Sequence, residues 1–346
     1  MNSFSEDTRF VLCRPLGGFN DVLSQIEKCW LYAEKYDRFL LIDFYANPFM
    51  AEVFSFLQPI KLGNVIISPG PEVITALDSR ETFPTELSGR LSRYTPIRKK
   101  GHPRRENYDA ETGVRLTFDF NRGYEEAVLV DQGGSTSNKS LGGIERFRVK
   151  DSALGEISEM SGFLPPSYAA AHVRATDYST DYQRFLRSVV KKNGLEHLLI
   201  CTDNHEVVQW AANKLLGPNI LAFGRPEVEP GEPIHRTIAS FGSEAMRTSA
   251  LQLLAELFAV SKSEMFYYTH IRQSRKRSRQ VFSGLSTLMA YLAEVRGGSF
   301  FGAKHPPPRD PRRSRYEAPA LQKFGHQVFL RTAPIRRVVR RSLNVR

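Results

Sequence analysis

Ala169-Ala170-Ala171-His172-Val173-Arg174-Ala175-Thr176-Asp177-Tyr178 is a short apolar strand that ends by presenting an imidazole, a guanidinium and a carboxylate together. A strand tip opening into a loop is where open α/β sheets place their ligand sites. The Arg174 guanidinium is a fixed fork of donors suited to phosphate, and Asp177, three residues on, either orients that fork or faces a substrate hydroxyl. Taken alone, the segment reads equally as a buried strand whose polar residues satisfy local carbonyls, so its surroundings decide.

Downstream, strands and helices alternate. A strand over 168–173 leads to a helix near 181–192, a strand over 195–201 to a helix over 206–216, and a strand over 219–223 to a helix over 244–261. A strand over 265–269 and a helix from about 275 to 295 follow. Such alternation predicts a parallel, doubly wound sheet. Upstream, 8–13 reads as a strand, 15–19 as a glycine turn, 20–36 as a helix with Val22, Leu23, Ile26, Trp30 and Ala33 at helical spacing, and 39–44 as a buried strand. The strand over 127–131 runs into Gly133-Gly134-Ser135, which reads as a phosphate-contacting or a plain turn. Between them, Arg98-Lys99-Lys100 and Arg104-Arg105 read as a lid, an acceptor-facing loop or a solvated run. The pattern is α/β, with two facing Rossmann-like units: an N-terminal domain over 1–160 and a nucleotide-binding domain over 161–296.

From 297 to 346 the periodicity dissolves into a basic Pro/Arg-rich tail, with 305–313 expected as an exposed linker. Residues 301–346 hold twelve Lys or Arg against Asp310 and Glu317, so ten of the eleven net positive charges lie there. The remainder is near neutral, which argues against nucleic-acid binding by the whole protein. Ile335, Val338, Val339 and Leu343 fall on one helical face among arginines, the pattern of a basic amphipathic helix on an anionic membrane or of a solvated tail. No run approaches the length of a membrane span, and residues 1–7 lack the regions of a signal peptide, so a cytoplasmic protein, peripheral on the inner membrane face, is expected. Cys13, Cys29 and Cys201 are spaced for core thiols rather than disulfides or zinc, and no histidine pairing suggests a metal.

The polar residues at strand ends converge on one crevice in a doubly wound sheet: His172, Arg174 and Asp177, then Thr202 and Asp203, then His235 and Arg236 in a later loop. Arg174 and Arg236 suit a diphosphate. Asp203 suits a base or ribose hydroxyl, or the N-cap of the following helix.

In this order the residues resemble the α-1,2-, α-1,6- and protein-O-fucosyltransferases, the nodulation fucosyltransferases among them. His172-Val173-Arg174-Ala175-Thr176-Asp177 is similar to their H-x-R-x-x-D peptide, Gly17-Gly18-Phe19-Asn20-Asp21 to their N-terminal glycine loop, and Leu199-Ile200-Cys201-Thr202-Asp203 to their A-T-D element. Ile234-His235-Arg236 and the helix through Leu257 resemble the loop and long helix before their last donor-binding strand.

The resemblance implies a GT-B architecture and an inverting, metal-independent glycosyltransferase. Its donor substrate would be GDP-fucose or another nucleotide sugar, with no tightly bound cofactor, and its acceptor a glycan or lipid-linked oligosaccharide. Arg174 would grip the β-phosphate, with His172, Gly17, Gly18, Asn20, Asp203, His235 and Arg236 around the donor. Asp177 or Asp181 would take the acceptor proton. Two departures stand out. Ala175 replaces a frequent arginine, and Tyr268-Thr269-His270-Ile271-Arg272-Gln273-Ser274 occupies the place of paired serines, with Thr269 and Ser274 as the expected phosphate contacts. These departures leave open a non-catalytic nucleotide- or glycan-binding protein of the same fold. A nucleic-acid-binding protein using Arg275-Lys276-Arg277 and the tail is the remaining alternative.

Overall fold

Parallel strands paired on both edges are covered on both faces, which is why they appear as unbroken apolar runs. In the computed structural model, which describes residues 4–61, 63–98, 106–133, 139–175, 180–224, 242–271 and 282–317, two such sheets form. The first contains β1 (Phe10–Pro15), β2 (Phe39–Ile42), β3 (Val65–Ile67), β4 (Thr82–Phe83) and β5 (Val128–Gly133) in the order β3-β2-β1-β5-β4, all parallel. The second contains β6 (Ala169–Val173), β7 (His197–Thr202), β8 (Asn219–Leu221), β9 (Met265–Tyr268) and β10 (Ser314–Tyr316) in the order β8-β7-β6-β9-β10, again all parallel. In each sheet the chain winds from the central strand to one side and then crosses to the other. Ligand crevices open at that reversal, outside the carboxyl ends of β1 and β6.

The helices are α1 (Phe19–Lys35), α2 (Pro48–Ser55), α3 (Pro71–Leu77), α4 (Ser140–Ile144), α5 (Asp151–Met160), α6 (Tyr182–Asn193), α7 (His205–Lys214), α8 (Ser243–Lys262) and α9 (Gly284–Glu294). Alternation along β6 divides two cores. Ala169, Ala171 and Val173 pack with Phe185, Leu186 and Val189 of α6, whereas Ala170 shares a core with Leu254 and Leu257 of α8. That second core continues into the first half, because α8 also packs on α2 and α5, while α9 reaches α1 and α4. Cys13, Cys29 and Cys201 are buried in it. Among the described residues no helix is long and apolar enough to cross a membrane.

Most predicted elements stand within a few residues of their expected ends. The linker expected over 305–313 is irregular and mostly exposed up to a short 3-10 turn at its end; what the sequence did not signal is the strand that follows it, β10, parallel to β9. Several of the linker's charges are paired even where they are exposed. Arg309 bonds Glu294, Ser314 Oγ donates to the same carboxylate at 2.5 Å, and buried Arg313 donates to the Ser263 carbonyl. The expected helix start near 275 and the tail helix beyond 334 lie outside the described residues, as does most of the basic stretch, 99–105. Arg98 itself ends a two-stranded antiparallel ribbon, Pro96–Arg98 against Asn107–Asp109.

Gly143 lies in α4 where it crosses α1, and a Cβ there would run into the backbone carbonyl of Leu23. Gly143→Ala is therefore expected to cost about 1–3 kcal/mol by overpacking, read from urea denaturation. Asp109, fully buried, accepts from Arg90 at 3.0 Å and from the Thr112 hydroxyl at 2.8 Å. Burial pushes its pKa up, but the bonds from Thr112 and Arg90 outweigh it and hold the carboxyl below its ordinary value. Its contribution is therefore present above the unfolded pKa of about 4 and lost as pH falls through the lower folded value. Melting curves should show Asp109→Asn to be less stable at pH 7, with a flatter decline than the parent below about pH 4.

Candidate functional site

The tip of β6 is built from three strands and a helix. His172, buried, places Nδ1 2.6 Å from the Ser286 hydroxyl in the first turn of α9. The parallel register sets Val173 beside Thr202, so the residues after β6 and β7 are neighbours. There Asp203 Oδ2 takes Arg174 Nη1 at 2.8 Å, and Oδ1 accepts the Ala175 amide at 3.1 Å. One carboxylate thus fixes both the guanidinium and the backbone carrying it. Thr180 donates from its hydroxyl to the Arg174 carbonyl at 2.5 Å and ties down the far end of this loop.

The cap of α7 is Asn204, whose side chain accepts the Glu206 amide at 2.9 Å; Asp203, read from sequence as a possible cap, is engaged with Arg174 instead. The helix begins at His205, so the residue directly before it, Asn204, holds the capping position. Asp181 does cap, accepting the Arg184 amide of α6 at 3.4 Å.

Across the crevice, Gly17 has φ of +102°, a conformation that strains any side chain, and Gly18 caps α1 with open space where a Cβ would stand. Asn47 donates to the Gly17 carbonyl at 3.1 Å and holds the turn. Asn20, in the first turn of α1, lies against Gly284, where a Cβ would overlap its amide. The glycine turn and the β6 tip therefore meet through the start of α9, which touches Asn20 with one residue and His172 with another.

Thr269, an expected phosphate contact, follows β9 directly. Its hydroxyl donates to the Glu317 carbonyl at 3.0 Å and secures the strand that returns beside β9. The start of α9, with Ser283, Gly284 and Ser286, meets both Asn20 and His172. Ser-Gly-x-Ser opening an apolar helix was the available signal, obscured because the helix was read as starting nine residues earlier. Asp177, His235, Arg236 and Ser274 lie outside the described residues.

Sequence reasoning also missed a buried cluster at the tips of the first sheet. Arg14 Nε meets Asp43 Oδ2 at 2.7 Å and Nη1 donates to the Leu91 carbonyl at 2.8 Å. The guanidinium lies 4.4 Å from the Tyr45 ring centre and 4.8 Å from that of Tyr94. Burial alone would lower the Arg14 pKa, but Tyr94 and Asp43 raise it more, so the charge is locked on. Asp43 also accepts the Tyr45 amide at 3.0 Å, which makes it a structural anion with both oxygens engaged. Among the described residues no three His, Cys, Asp or Glu side chains are grouped to hold a metal ion.

A fucosyltransferase, NodZ from Bradyrhizobium, superposes on this arrangement with a TM-score of 0.51 at 15% identity, covering 82% of this chain and 93% of its own. This chain has a fucosyltransferase-like fold. NodZ described as an α-1,6-fucosyltransferase soaked with GDP-fucose gives a TM-score of 0.49 at 16% identity, over 82% of this chain and 92% of that one. POFUT1 in complex with GDP-fucose gives 0.49 at 10% identity, over 91% of this chain and 99% of that one. By sequence, no family model and no curated protein matches. The fucosyltransferase-like arrangement of two parallel sheets accounts for the GT-B-like architecture expected from the motif order.

Ser286→Ala removes a buried hydrogen bond to His172 and should lower stability by about 1 kcal/mol in chemical denaturation. An unchanged midpoint and slope would show that the pair contributes nothing to the fold.

Proposed function

We propose that this protein is an inverting glycosyltransferase that moves a sugar, in the first instance fucose from GDP-fucose, onto a hydroxyl of a glycan or lipid-linked oligosaccharide. The observation that carries this reading is Arg174, held by Asp203 at the tip of the central strand β6, at the topological switch point, with α9 joining that tip to the glycine turn that opens α1. A guanidinium so held is pre-oriented for a diphosphate, and negative charge develops on that diphosphate as the sugar departs.

In the proposed step the acceptor oxygen bonds to the anomeric carbon from the face opposite the nucleotide. The bond from that carbon to the β-phosphate oxygen breaks, its electron pair leaves with GDP, and the acceptor proton passes to a carboxylate of the 177–181 loop, Asp177 or Asp181. Arg174 stabilises the leaving phosphate, Asp203 orients Arg174, and His172, supported by Ser286, shapes the same pocket. Gly17, Gly18 and Asn20 close on the donor from the first sheet, and His235, Arg236 and Ser274 belong to the same proposed donor shell. Reaction without a resident metal and action at the cytoplasmic membrane face are parts of this proposal. The second rests on tail residues outside the described ones.

A second reading, a nucleotide- or glycan-binding protein without transfer, is favoured by two observations: Ala175 brings no second guanidinium, and the Thr269 hydroxyl is engaged by Glu317. Thermal-shift measurements on the full chain with GDP, UDP, CMP and their sugars test the donor, since a ligand at a hundred times its Kd stabilises by about 2.7 kcal/mol. GDP-fucose should stabilise selectively. Arg174→Ala should lose on the order of 10²-fold or more in GDP-fucose turnover while remaining folded. Near-normal turnover in that variant sinks the role, and GDP binding without hydrolysis or transfer favours the second reading.

A further inference from the structure

We propose that Tyr45 is the stacking platform for a sugar ring of the acceptor, held in place by Arg14 and Asp43 as positioning residues. This rests on the glycosyl-transfer reading and assigns the acceptor side of that site.

Tyr45 follows β2 by three residues, at the carboxyl end of the first sheet, and is 50% exposed. An exposed aromatic ring is ordinarily mobile, but this one is clamped. The buried Arg14 guanidinium lies over it at 4.4 Å, its amide is bonded to Asp43 at 3.0 Å, and Gln132 Nε2 reaches its hydroxyl at 3.5 Å. Such a ring presents apolar surface to water without the ordering cost that a flexible side chain meets on binding. Its chemistry fits a saccharide, whose ring offers an apolar C–H face to the aromatic plane and hydroxyls to the polar atoms around it.

Two further observations point to a ligand here. Gln132, on β5 beside the platform, is 1% exposed, and its Oε1 has no hydrogen-bond partner. Buried polar atoms are ordinarily paired, and a hydroxyl-rich ligand supplies partners of the needed kind. The platform is also physically joined to the proposed donor side. Asn47, two residues after Tyr45, bonds the Gly17 carbonyl of the turn that opens α1, and α1 in turn meets α9. A sugar on Tyr45 thus stands on the rim of the crevice into which Arg174 is proposed to bring the donor. A purine base is the competing occupant of the same ring; the residues proposed to grip the diphosphate, Arg174 with Asp203, stand on the second sheet, and only Gly17, Gly18 and Asn20 are proposed to reach the donor from the first.

The test uses the full-length protein with Tyr45→Ala, Tyr45→Phe and Tyr45→Trp, a glycan array of defined neutral and lipid-linked-type oligosaccharides probed in the presence of GDP, and calorimetric titration with GDP. The parent should bind at least one glycan class. Tyr45→Ala should weaken that binding about 10-fold or more, the two aromatic variants should retain it, and GDP affinity should stay within about twofold of the parent in all three variants. Glycan binding unaffected by Tyr45→Ala, or no glycan bound by the parent, overturns the platform. A parallel loss of GDP affinity reassigns the ring to the nucleotide and also overturns it. If the parent binds no GDP at all, the glycosyl-transfer reading fails, an outcome distinct from loss of the acceptor subsite alone.

Discussion

A parallel strand bonded on both edges and covered on both faces has no place for a polar side chain except at its ends, and that constraint organises the molecule. In β1 and β6 the interior positions are apolar or small, and polar side chains are admitted only near the carboxyl tips: Arg14 in one, His172 in the other, and Arg174 just beyond. Because both sheets reverse their winding at these central strands, the tips open into crevices. The hydrophobic requirement that builds the sheets thereby concentrates chemistry at two places.

Each tip holds its arginine, buried at Arg14 and half-buried at Arg174, in the same way. Arg174 is bonded by Asp203 from the neighbouring strand, and Arg14 by Asp43 from its neighbour. A buried ion pair adds little net stability, since desolvation consumes most of its attraction, but it fixes geometry. At β6 the fixed geometry is that of a guanidinium on a rigid turn, and at β1 that of an aromatic ring on a rigid cation. The two tips are joined by α9, which contributes Gly284 where Asn20 needs room and Ser286 where His172 needs a partner.

Much of this was legible from periodicity. The β-loop-α-β opening, the alternation after 165 and the H-x-R-x-x-D strand end depend on local patterns that survive as one-dimensional spacing. What escaped depends on contacts between distant segments. β10 is three residues long and follows a run of prolines, so it carries no strand signal; it exists because Arg313 and Ser314 find partners on β9's flank and α9. Asp203 looked like a helix cap because Thr202-Asp203-Asn204 offers three capping residues in succession, and only the register of β6 against β7 assigns it to Arg174.

The sequence by itself therefore determined the fold class and the positions of the strand ends, because burial imposes a period on every residue that takes part in it. It also located Arg174 and His172 at a strand tip. The tertiary structure alone decided which groups those residues meet. It brought Ser286, 114 positions away, to His172, set Asn20 against Gly284, and stacked Tyr45 on Arg14. Those pairings are set by register and helix packing in three dimensions, where separation along the chain carries no information about distance.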